Sequence, residues 1–358
     1  MKPLFTAVRI IILFAFVQAS AEIHIINPYR YVDWSSFGQY KAALHVHSTN
    51  SDGRATRARM IERHYRRGFD IVAFTDHNFV AKTEESEIRR GRGIIVLSYT
   101  NEQSSGKHIN TYFANYNNSA RGDTPHFEKM RETVETVENL GGISIICHPG
   151  RSLGYRHRKI SLDSGIAIVN NPDNIQKFAE LFMEFPSLVG MEIVNSIDGS
   201  SRFDRIFWDN ILKQTAPNGY FVWGFSNDDS HLRPAIGFAY NIMLLPKLSE
   251  ENVRKSMETG AFYAVSHISN ADGIRNFRRN RIPPRITDIT VSGTTITISG
   301  RNYKEIDWIA DGTKIASGNS IDVSEFTNTI GSYLRAQLRS RRGIAFTQPF
   351  GITNKNDN

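Results

Sequence analysis

The histidines and acidic residues of this chain fall into short groups whose chemistry suits metal binding. His45-Val46-His47 lies at the end of a predicted strand, and residues two apart in a strand point the same way, so both imidazoles can face one ion. Neutral imidazole and carboxylate are ligands that suit zinc, iron and manganese. In all, six histidines and three acids are candidate ligands: His45, His47, Asp52, His77, Glu102, His108, His148, Asp229 and His231.

Nine candidate ligands are too many for one tetrahedral ion. They suit two or three divalent ions (Zn, Mn or Fe) that share a carboxylate, and such centres catalyse displacement at phosphorus or at an acyl carbon. Convergence by packing alone is a poor explanation, because buried ionisable groups are costly unless they are paired or bound to metal. The ligand set therefore predicts metal-assisted hydrolysis, in which two ions acidify a shared water to hydroxide and hold a substrate oxygen.

The elements that must position these ligands alternate between strands and helices. Strand-like runs cover residues 42–47, 70–75, 93–98, 108–114, 142–148, 188–194, 219–225 and 238–245, and helix-like stretches cover 56–67, 125–140, 173–184, 201–214 and 249–259. This alternation predicts a mainly parallel sheet covered by helices, either a barrel or an open doubly wound sheet. Every ligand group except His108 lies at or just past the carboxyl end of a predicted strand, the edge where such folds build active sites.

The end of the chain has a different pattern. From Ile286 onward the apolar residues alternate with a period of two, and Asp311-Gly312 is a strong hairpin signal. We therefore predict a signal segment at 1–21, a metallohydrolase body at 22–282 and a small antiparallel β domain at 283–358. Glycan or protein is the candidate partner of that β domain.

The first 21 residues have the pattern of a secretory signal. Lys2 and Arg9 precede an apolar run at residues 10–17, and Ala19-Ser20-Ala21 offers a small-x-small cleavage site. The run is too short to span a bilayer, which needs about 20 residues. The segment has no cysteine, so the sequence predicts export to the periplasm or medium, without lipid modification and without a membrane span after cleavage.

Composition narrows the class of protein but not the substrate. The chain has 358 residues, 40% of them hydrophobic, and a single cysteine, which excludes a coiled coil, a disordered chain and a disulfide scaffold. The formal charge of +7 permits an anionic partner. Export argues against a nucleic-acid partner. Because Cys147 alternates with His148 along a strand, its thiol is expected to face away from the metal ions.

Four motifs together resemble the polymerase-and-histidinol-phosphatase (PHP) superfamily. They are His45-x-His47 with Ser51-Asp52-Gly53, then Thr75-Asp76-His77, then His148-Pro149-Gly150, and last Asp229-x-His231. The resemblance covers residues 42–267 and implies a distorted (β/α)7 TIM-like barrel with two or three metal ions. Downstream segments, Met191-Glu192-Ile193-Val194-Asn195 among them, look like the CehA/McbA-type branch of these hydrolases.

The resemblance also implies how the ligands divide among the ions. His45, His47, Glu102 and Asp229 would hold the first ion. Glu102, His108 and His148 would hold the second, with Glu102 as the bridge, and Asp52, His77 and His231 would hold the third. Glu102, Asp229 and His231 are the expected catalytic residues.

A small anionic substrate, most simply a phosphate ester or nucleotide, is the first expectation for the reaction. The candidate substrate-binding residues lie near proposed ligands or at another strand end: Lys107, Arg151, Glu192, Asn195 and Arg233. Two alternatives stay open. The same ions could hydrolyse an ester, amide or carbamate, or the chain could be a non-catalytic surface module with structural metals.

Overall fold

The computed structural model describes residues 23–83, 93–105, 107–118, 126–154, 160–196, 201–232, 235–267 and 282–354. The predicted export signal and Arg233 lie outside these ranges. Within them, no helix combines the length and the apolar character needed to cross a membrane.

The described residues form a mixed α/β fold, as the sequence predicts. The strands are β1 (Ile23–Ile26), β2 (Gly38–Val46), β3 (Ile71–Phe74), β4 (Ile95–Val96), β5 (Asn101–Gln103), β6 (Ile109–Tyr112), β7 (Ile143–Ile146), β8 (Leu188–Asn195), β9 (Trp223–Asn227), β10 (Ala239–Leu245), β11 (Phe262–Ser266), β12 (Arg285–Ser292), β13 (Thr295–Arg301), β14 (Glu305–Ala310), β15 (Thr313–Ser317), β16 (Ser320–Asp322), β17 (Tyr333–Ser340), β18 (Gly343–Phe346) and β19 (Phe350–Asn354). The helices are α1 (Arg57–Tyr65), α2 (His126–Asn139), α3 (Pro149–Ser152), α4 (Leu162–Val169), α5 (Pro172–Glu184), α6 (Ser201–Thr215) and α7 (Glu250–Thr259).

Two sheets carry the candidate ligands. In one, β2, β3 and β4 are parallel neighbours, and β10 and β11 extend the sheet antiparallel from β2. In the other, the order is β5-β6-β7-β8-β9, with β7, β8 and β9 parallel. Buried apolar side chains fill the space between them, among them Leu44, Ile71, Ile145 and Phe225.

The two sheets are not closed into a barrel, which departs from the TIM-like barrel expected from the resemblance. Among the described residues no continuous ladder joins the two sheets; isolated strand pairings do, of which Val46 with Ser230 and His77 with Glu102 lie beside the candidate ligands. β5 pairs antiparallel with β6 and forms no ladder with β4. The sheets nevertheless bring their ends together at the two points where ligands are clustered.

The structure confirms the predicted helices. Each forms because it has an apolar face or a residue that favours a helix end. In α6, Phe203, Phe207 and Ile211 are spaced four residues apart and bury one side of the helix against a core that also contains Met191 and Ile193 of β8. Ser249 caps α7 by accepting a hydrogen bond from the Asn252 backbone N–H at 3.2 Å.

The C-terminal strands are antiparallel, as predicted, and they continue the first sheet. β18 pairs with β11, and β17 then links β18 to β14 and β19. β1, the first described strand of the chain, pairs with β19 of the C-terminal strands. The strands β12, β13 and β16 form a separate three-stranded sheet. The domain boundary at 282/283 stays a prediction.

Candidate metal centre

Local backbone distortions turn the candidate ligands inward. The pairing of β2 with β3 shifts register between Ala43 and Val46; His45 lies within this irregular stretch and His47 just past it, and both are completely buried. His148 and Asp229 have φ angles of 26° and 47°, values that residues other than glycine rarely adopt. Such strain concentrates at functional sites.

Four ligand atoms lie at the spacing that one metal ion requires. Nε2 of His45 is 3.1 Å from Nε2 of His47. Each of these nitrogens is 3.2 Å from Oε2 of Glu102. Oδ1 of Asp229 lies 3.3 Å from the first nitrogen and 3.2 Å from the second. Ligands about 2.0 Å from a tetrahedral ion are separated by about 3.3 Å. These are the four residues expected to hold the first ion.

The other carboxylate oxygen of Glu102 faces a second pair of histidines. Oε1 lies 2.6 Å from Nδ1 of His108 and 3.3 Å from Nε2 of His148. Glu102 therefore contacts the proposed ligands of two ions through different oxygens, and its Oε2 also lies 3.1 Å from Nδ1 of His77, a proposed ligand of the third. His148 can also be grouped with His45 and Asp229, since their ligand atoms lie within 4.8 Å of one another.

The proposed ligands of the third ion also come together, on the open side of the site. Oδ2 of Asp52 is 3.1 Å from Nε2 of His231 and 3.6 Å from Nε2 of His77. Nδ1 of His47 lies 3.4 Å from the other Asp52 oxygen. The Asp52 side chain is 54% exposed, whereas His47 is buried. This group is therefore the one that solvent reaches most readily.

Asp76 holds the loop that presents Asp52, a role that motif reading missed. Its Oδ1 accepts hydrogen bonds from the Ser48 backbone N–H at 2.6 Å and from the Ser51 hydroxyl at 2.8 Å. Gly53 completes the loop, because a Cβ there would lie 2.5 Å from the carbonyl carbon of His47. The motif Thr75-Asp76-His77 contains this aspartate, but the motif predicts a metal-ligand role only for the histidine.

Glu192 lies behind His45 instead of at the mouth of the site. It is completely buried. Its oxygens accept from Nδ1 of His45 at 2.7 Å, the His148 backbone N–H at 2.7 Å, Asn195 Nδ2 at 2.8 Å and Asn227 Nδ2 at 2.9 Å. A carboxylate with four donors and no exposed surface is not placed to bind substrate. The sequence leaves Glu192 either a substrate contact or a support behind the ligands, and these contacts favour the second role.

The other candidate substrate residues lie in different settings. Arg151 reaches the ligands, with Nη1 3.5 Å from Nε2 of His148 and Nη2 3.7 Å from Oδ2 of Asp229. Asn195 is buried and donates to Glu192, with the same nitrogen 3.4 Å from Oδ2 of Asp229. Lys107 is half-buried in the β5–β6 hairpin, and burial lowers the pKa of its amine. Arg233 lies outside the described residues.

The electrostatics of the site favour bound cations. Burial works against charge on His45, but Asp229, Glu192 and Glu102 outweigh it and raise the pKa of that imidazole well above its ordinary value. The same opposition raises the pKa of His47 to about 9. Burial is likewise outweighed at Glu102 and Asp229, where facing histidines hold the carboxyl pKa well below its ordinary value. At His148 burial prevails and lowers the pKa.

These shifts and the donor set fit divalent metal ions. Three buried carboxylates remain anionic in one small volume, and such charge is stable only beside protonated imidazoles or metal ions. Nδ1 of His148 is buried and has no hydrogen-bond partner among the described residues. Oxygen and nitrogen donors of this kind suit zinc, iron and manganese.

The expectation that Cys147 faces away from the metal centre is wrong. Its Sγ lies within 4.8 Å of ligand atoms of both His45 and Glu102. Side chains do not alternate strictly at this strand end, because the positive φ of His148 turns its imidazole to the same side as the Cys147 thiol. Burial, reinforced by Glu102 and Glu192, raises the pKa of the thiol well above its ordinary value.

Comparisons with known proteins give distant likenesses only. No protein-family model matches the chain, and no curated protein matches it. Among solved structures, a two-domain protein from Bacteroides vulgatus containing a predicted PHP-like metal-dependent phosphoesterase is 15% identical, covers 95% of this chain and 91% of its own, and has a TM-score of 0.48.

Two further structures match more weakly. A candidate metal-dependent phosphoesterase from Bifidobacterium adolescentis is 14% identical, covering 61% of this chain and 96% of its own, with a TM-score of 0.37. An amidohydrolase from Chromobacterium violaceum, with bound sulfate and no metal, is 16% identical, covering 53% and 87%, with a TM-score of 0.32. At these values the likenesses assign neither family nor reaction to the chain.

Proposed function

We propose that this chain is a metal-dependent hydrolase of the PHP type, and that its reaction is the cleavage of a small phosphate ester. The observation that carries the proposal is the set of four ligand atoms from His45, His47, Glu102 and Asp229: the two histidine nitrogens lie 3.1 Å apart, and each lies 3.2–3.3 Å from both carboxylate oxygens. A non-catalytic module has no need for a second and a third group of ligands continuous with the first.

The residues divide naturally among the ions. His45, His47, Glu102 and Asp229 would hold the first ion, Glu102, His108 and His148 the second, and Asp52, His77 and His231 the third. When bound, such ions acidify water and neutralise charge on the substrate oxygens. Glu102, Asp229 and His231 are the proposed catalytic residues, because they join these groups to one another at the reacting face.

Arg151 supports an anionic substrate. Its side chain is 40% exposed and lies between His148 and Asp229, so its guanidinium can face both the ligands and solvent. A planar guanidinium matches the geometry of phosphate oxygens and can orient a substrate through paired hydrogen bonds. Lys107, across the β5–β6 hairpin, is a second candidate contact. Asn195 is proposed to orient Asp229 together with Glu192.

Two finer assignments rest on the sequence. The segment from Met191 to Asn195 and the C-terminal strands support a place in the CehA/McbA-type branch. The pattern of residues 1–21 supports export. Both belong to the proposal and are tested separately from the reaction.

The reaction is tested with a panel of chromogenic substrates on metal-loaded protein. We expect turnover of p-nitrophenyl phosphate, loss of turnover in His45→Ala, and normal turnover in His126→Ala, which changes an exposed histidine of α2. Turnover of aryl acetates or carbamates without phosphate esters would replace the phosphoesterase assignment by the ester, amide or carbamate alternative. Inactivity on all of them would favour a binding module.

A further inference from the structure

Cys147 belongs to the inner surface of the proposed metal centre. Its backbone N–H donates to the His108 carbonyl at 3.2 Å, which continues the pairing of β7 with β6 by one residue. Residues opposite each other in an antiparallel pair share a face of the sheet, so the thiol lies on the same side as the His108 imidazole. Glu102 lies opposite Asn110 on that same face.

A second observation at this place is a buried amide oxygen that lacks a partner. Asn110 is completely buried, and its side chain is hydrogen-bonded to Tyr112, but its Oδ1 has no hydrogen-bond partner among the described residues. The Cys147 thiol lies against the Asn110 backbone. Buried polar groups are normally hydrogen-bonded, so an unpartnered amide oxygen beside a thiol and a carboxylate indicates that a further polar species occupies this space.

We propose that Cys147 is a thiolate ligand in the metal centre, which binds a thiophilic divalent cation such as Zn²⁺ together with His45 and Glu102. The proposal rests on the proposed metal-dependent function; it adds a fifth donor to the four already proposed for the first ion and makes that ion's site selective for a thiophilic metal. On binding, the S–H bond breaks, its proton passes to solvent, and a sulfur lone pair forms the bond to the metal, with no change in oxidation state. Thiolate favours zinc and cobalt, whereas oxygen-rich sites suit manganese and magnesium.

The test is the spectrum of the cobalt-loaded full-length chain. Because the chain has one cysteine, a near-ultraviolet sulfur-to-cobalt charge-transfer band can come only from Cys147. We expect the band in the parent protein and in His126→Ala, and its loss in Cys147→Ala and Cys147→Ser. Competition with a chelator should show a zinc Kd raised by about tenfold in Cys147→Ala, while the manganese Kd is unchanged.

The outcomes separate this inference from the proposed function. Cobalt bound to the parent protein without the band, or an unchanged zinc Kd in Cys147→Ala, would overturn the role of the thiol and leave the hydrolase proposal standing. A parent protein that binds neither zinc nor cobalt would overturn both. Normal manganese binding by Cys147→Ser shows that a lost band does not reflect misfolding.

Discussion

At the scale of single residues, Glu192 controls how His45 presents its nitrogens. The hydrogen bond from Nδ1 of His45 to Glu192, 2.7 Å long, leaves Nε2 free to face His47, Glu102 and Asp229. The same carboxylate accepts from the His148 backbone N–H. One buried acid therefore orients proposed ligands from two strands.

Glu192→Gln tests this orienting role. We expect metal affinity to fall by about 10–100-fold, the usual cost of losing a partner behind a metal ligand. Each Glu192 oxygen accepts from two of the four donors, so a glutamine amide nitrogen in place of either oxygen leaves two donors without an acceptor. Isothermal titration with zinc measures the change, and Glu180→Gln, on an exposed part of α5, is the matched control. Equal affinities in the two variants would contradict the role.

His64 makes the stability of the fold sensitive to pH. It is completely buried on α1, and its Nδ1 donates to the Met60 carbonyl at 2.8 Å, while Nε2 lacks a partner in the structure. Burial lowers its pKa to about 4. Because the folded pKa lies below the unfolded value of about 6.5, this contribution to stability is complete at higher pH and is lost as the pH falls toward 4.

Urea unfolding at pH 7.5 and pH 5 measures the effect. The His64 contribution to the free energy of unfolding should fall by about 2 kcal/mol between these values. His64→Leu should lose correspondingly less stability than the parent protein over the same interval, whereas His126→Ala should follow the parent. If His64→Leu shows the same pH dependence as the parent protein, the imidazole is not the cause.

The candidate ligands were predictable from the sequence, but the residues around them were not. Residue type and spacing identify His45, His47 and Asp229 as candidate ligands. They do not reveal the roles of Glu192 and Cys147, because those roles depend on which face of a strand each residue occupies. Glu192 lies where the pairing of β8 with β9 shifts register, and Cys147 directly precedes the positive φ of His148, so simple alternation does not give the faces of these two residues.

At the scale of elements, α6 connects the loop after His148 with the C-terminal strands. Asp204, near the start of α6, accepts a hydrogen bond from the Gly150 backbone N–H at 2.9 Å. Asp209, further along the helix, binds Arg335 of β17. The apolar face between them anchors the helix on the core. The position of His148 therefore depends on how α6 packs against the core.

Asp204→Ala should loosen the loop that carries His148 without unfolding the protein. We expect metal affinity to drop by about tenfold, as for other groups that support ligands indirectly. The measurement is chelator competition, with Asp173→Ala on the exposed start of α5 as control. A loss of stability with unchanged affinity would show that Asp204 serves the fold alone.

The long helices and buried strands followed from periodicity, whereas the short elements did not. β5 is three residues long and carries Glu102, which the sequence places just past a strand end without predicting a strand of its own. β5 pairs antiparallel with β6. Pairings of this length depend on tertiary contacts, and local sequence preference is too weak to specify them.

At the scale of the whole molecule, a buried ion pair fastens the C-terminal strands to the body. Nε and Nη2 of Arg335 each lie 2.7 Å from an oxygen of Asp209, and the Tyr333 hydroxyl donates to the same carboxylate at 2.9 Å. Arg335 and Asp209 are both buried. Removing one partner from such a pair leaves an uncompensated charge in the interior.

Arg335→Met should lower the free energy of unfolding by about 3–5 kcal/mol. Adding Asp209→Leu should recover much of that loss, because two apolar residues leave no charge unpaired. Arg301→Ala, at an exposed position of β13, is expected to change stability by less than about 0.5 kcal/mol. Urea denaturation measures the free energy of unfolding of each variant. A small effect of Arg335→Met would show that the Arg335–Asp209 pair does not hold the C-terminal strands to the body.

The central claim is that the clustered histidines and acids form a centre for several metal ions. Elemental analysis of purified, metal-reconstituted protein tests it most directly, for the parent chain, His45→Ala and His126→Ala. The account predicts at least about two divalent ions per parent chain and per His126→Ala chain, and fewer in His45→Ala. A parent protein without stoichiometric metal, or a His45→Ala variant with the parent's metal content, would contradict it.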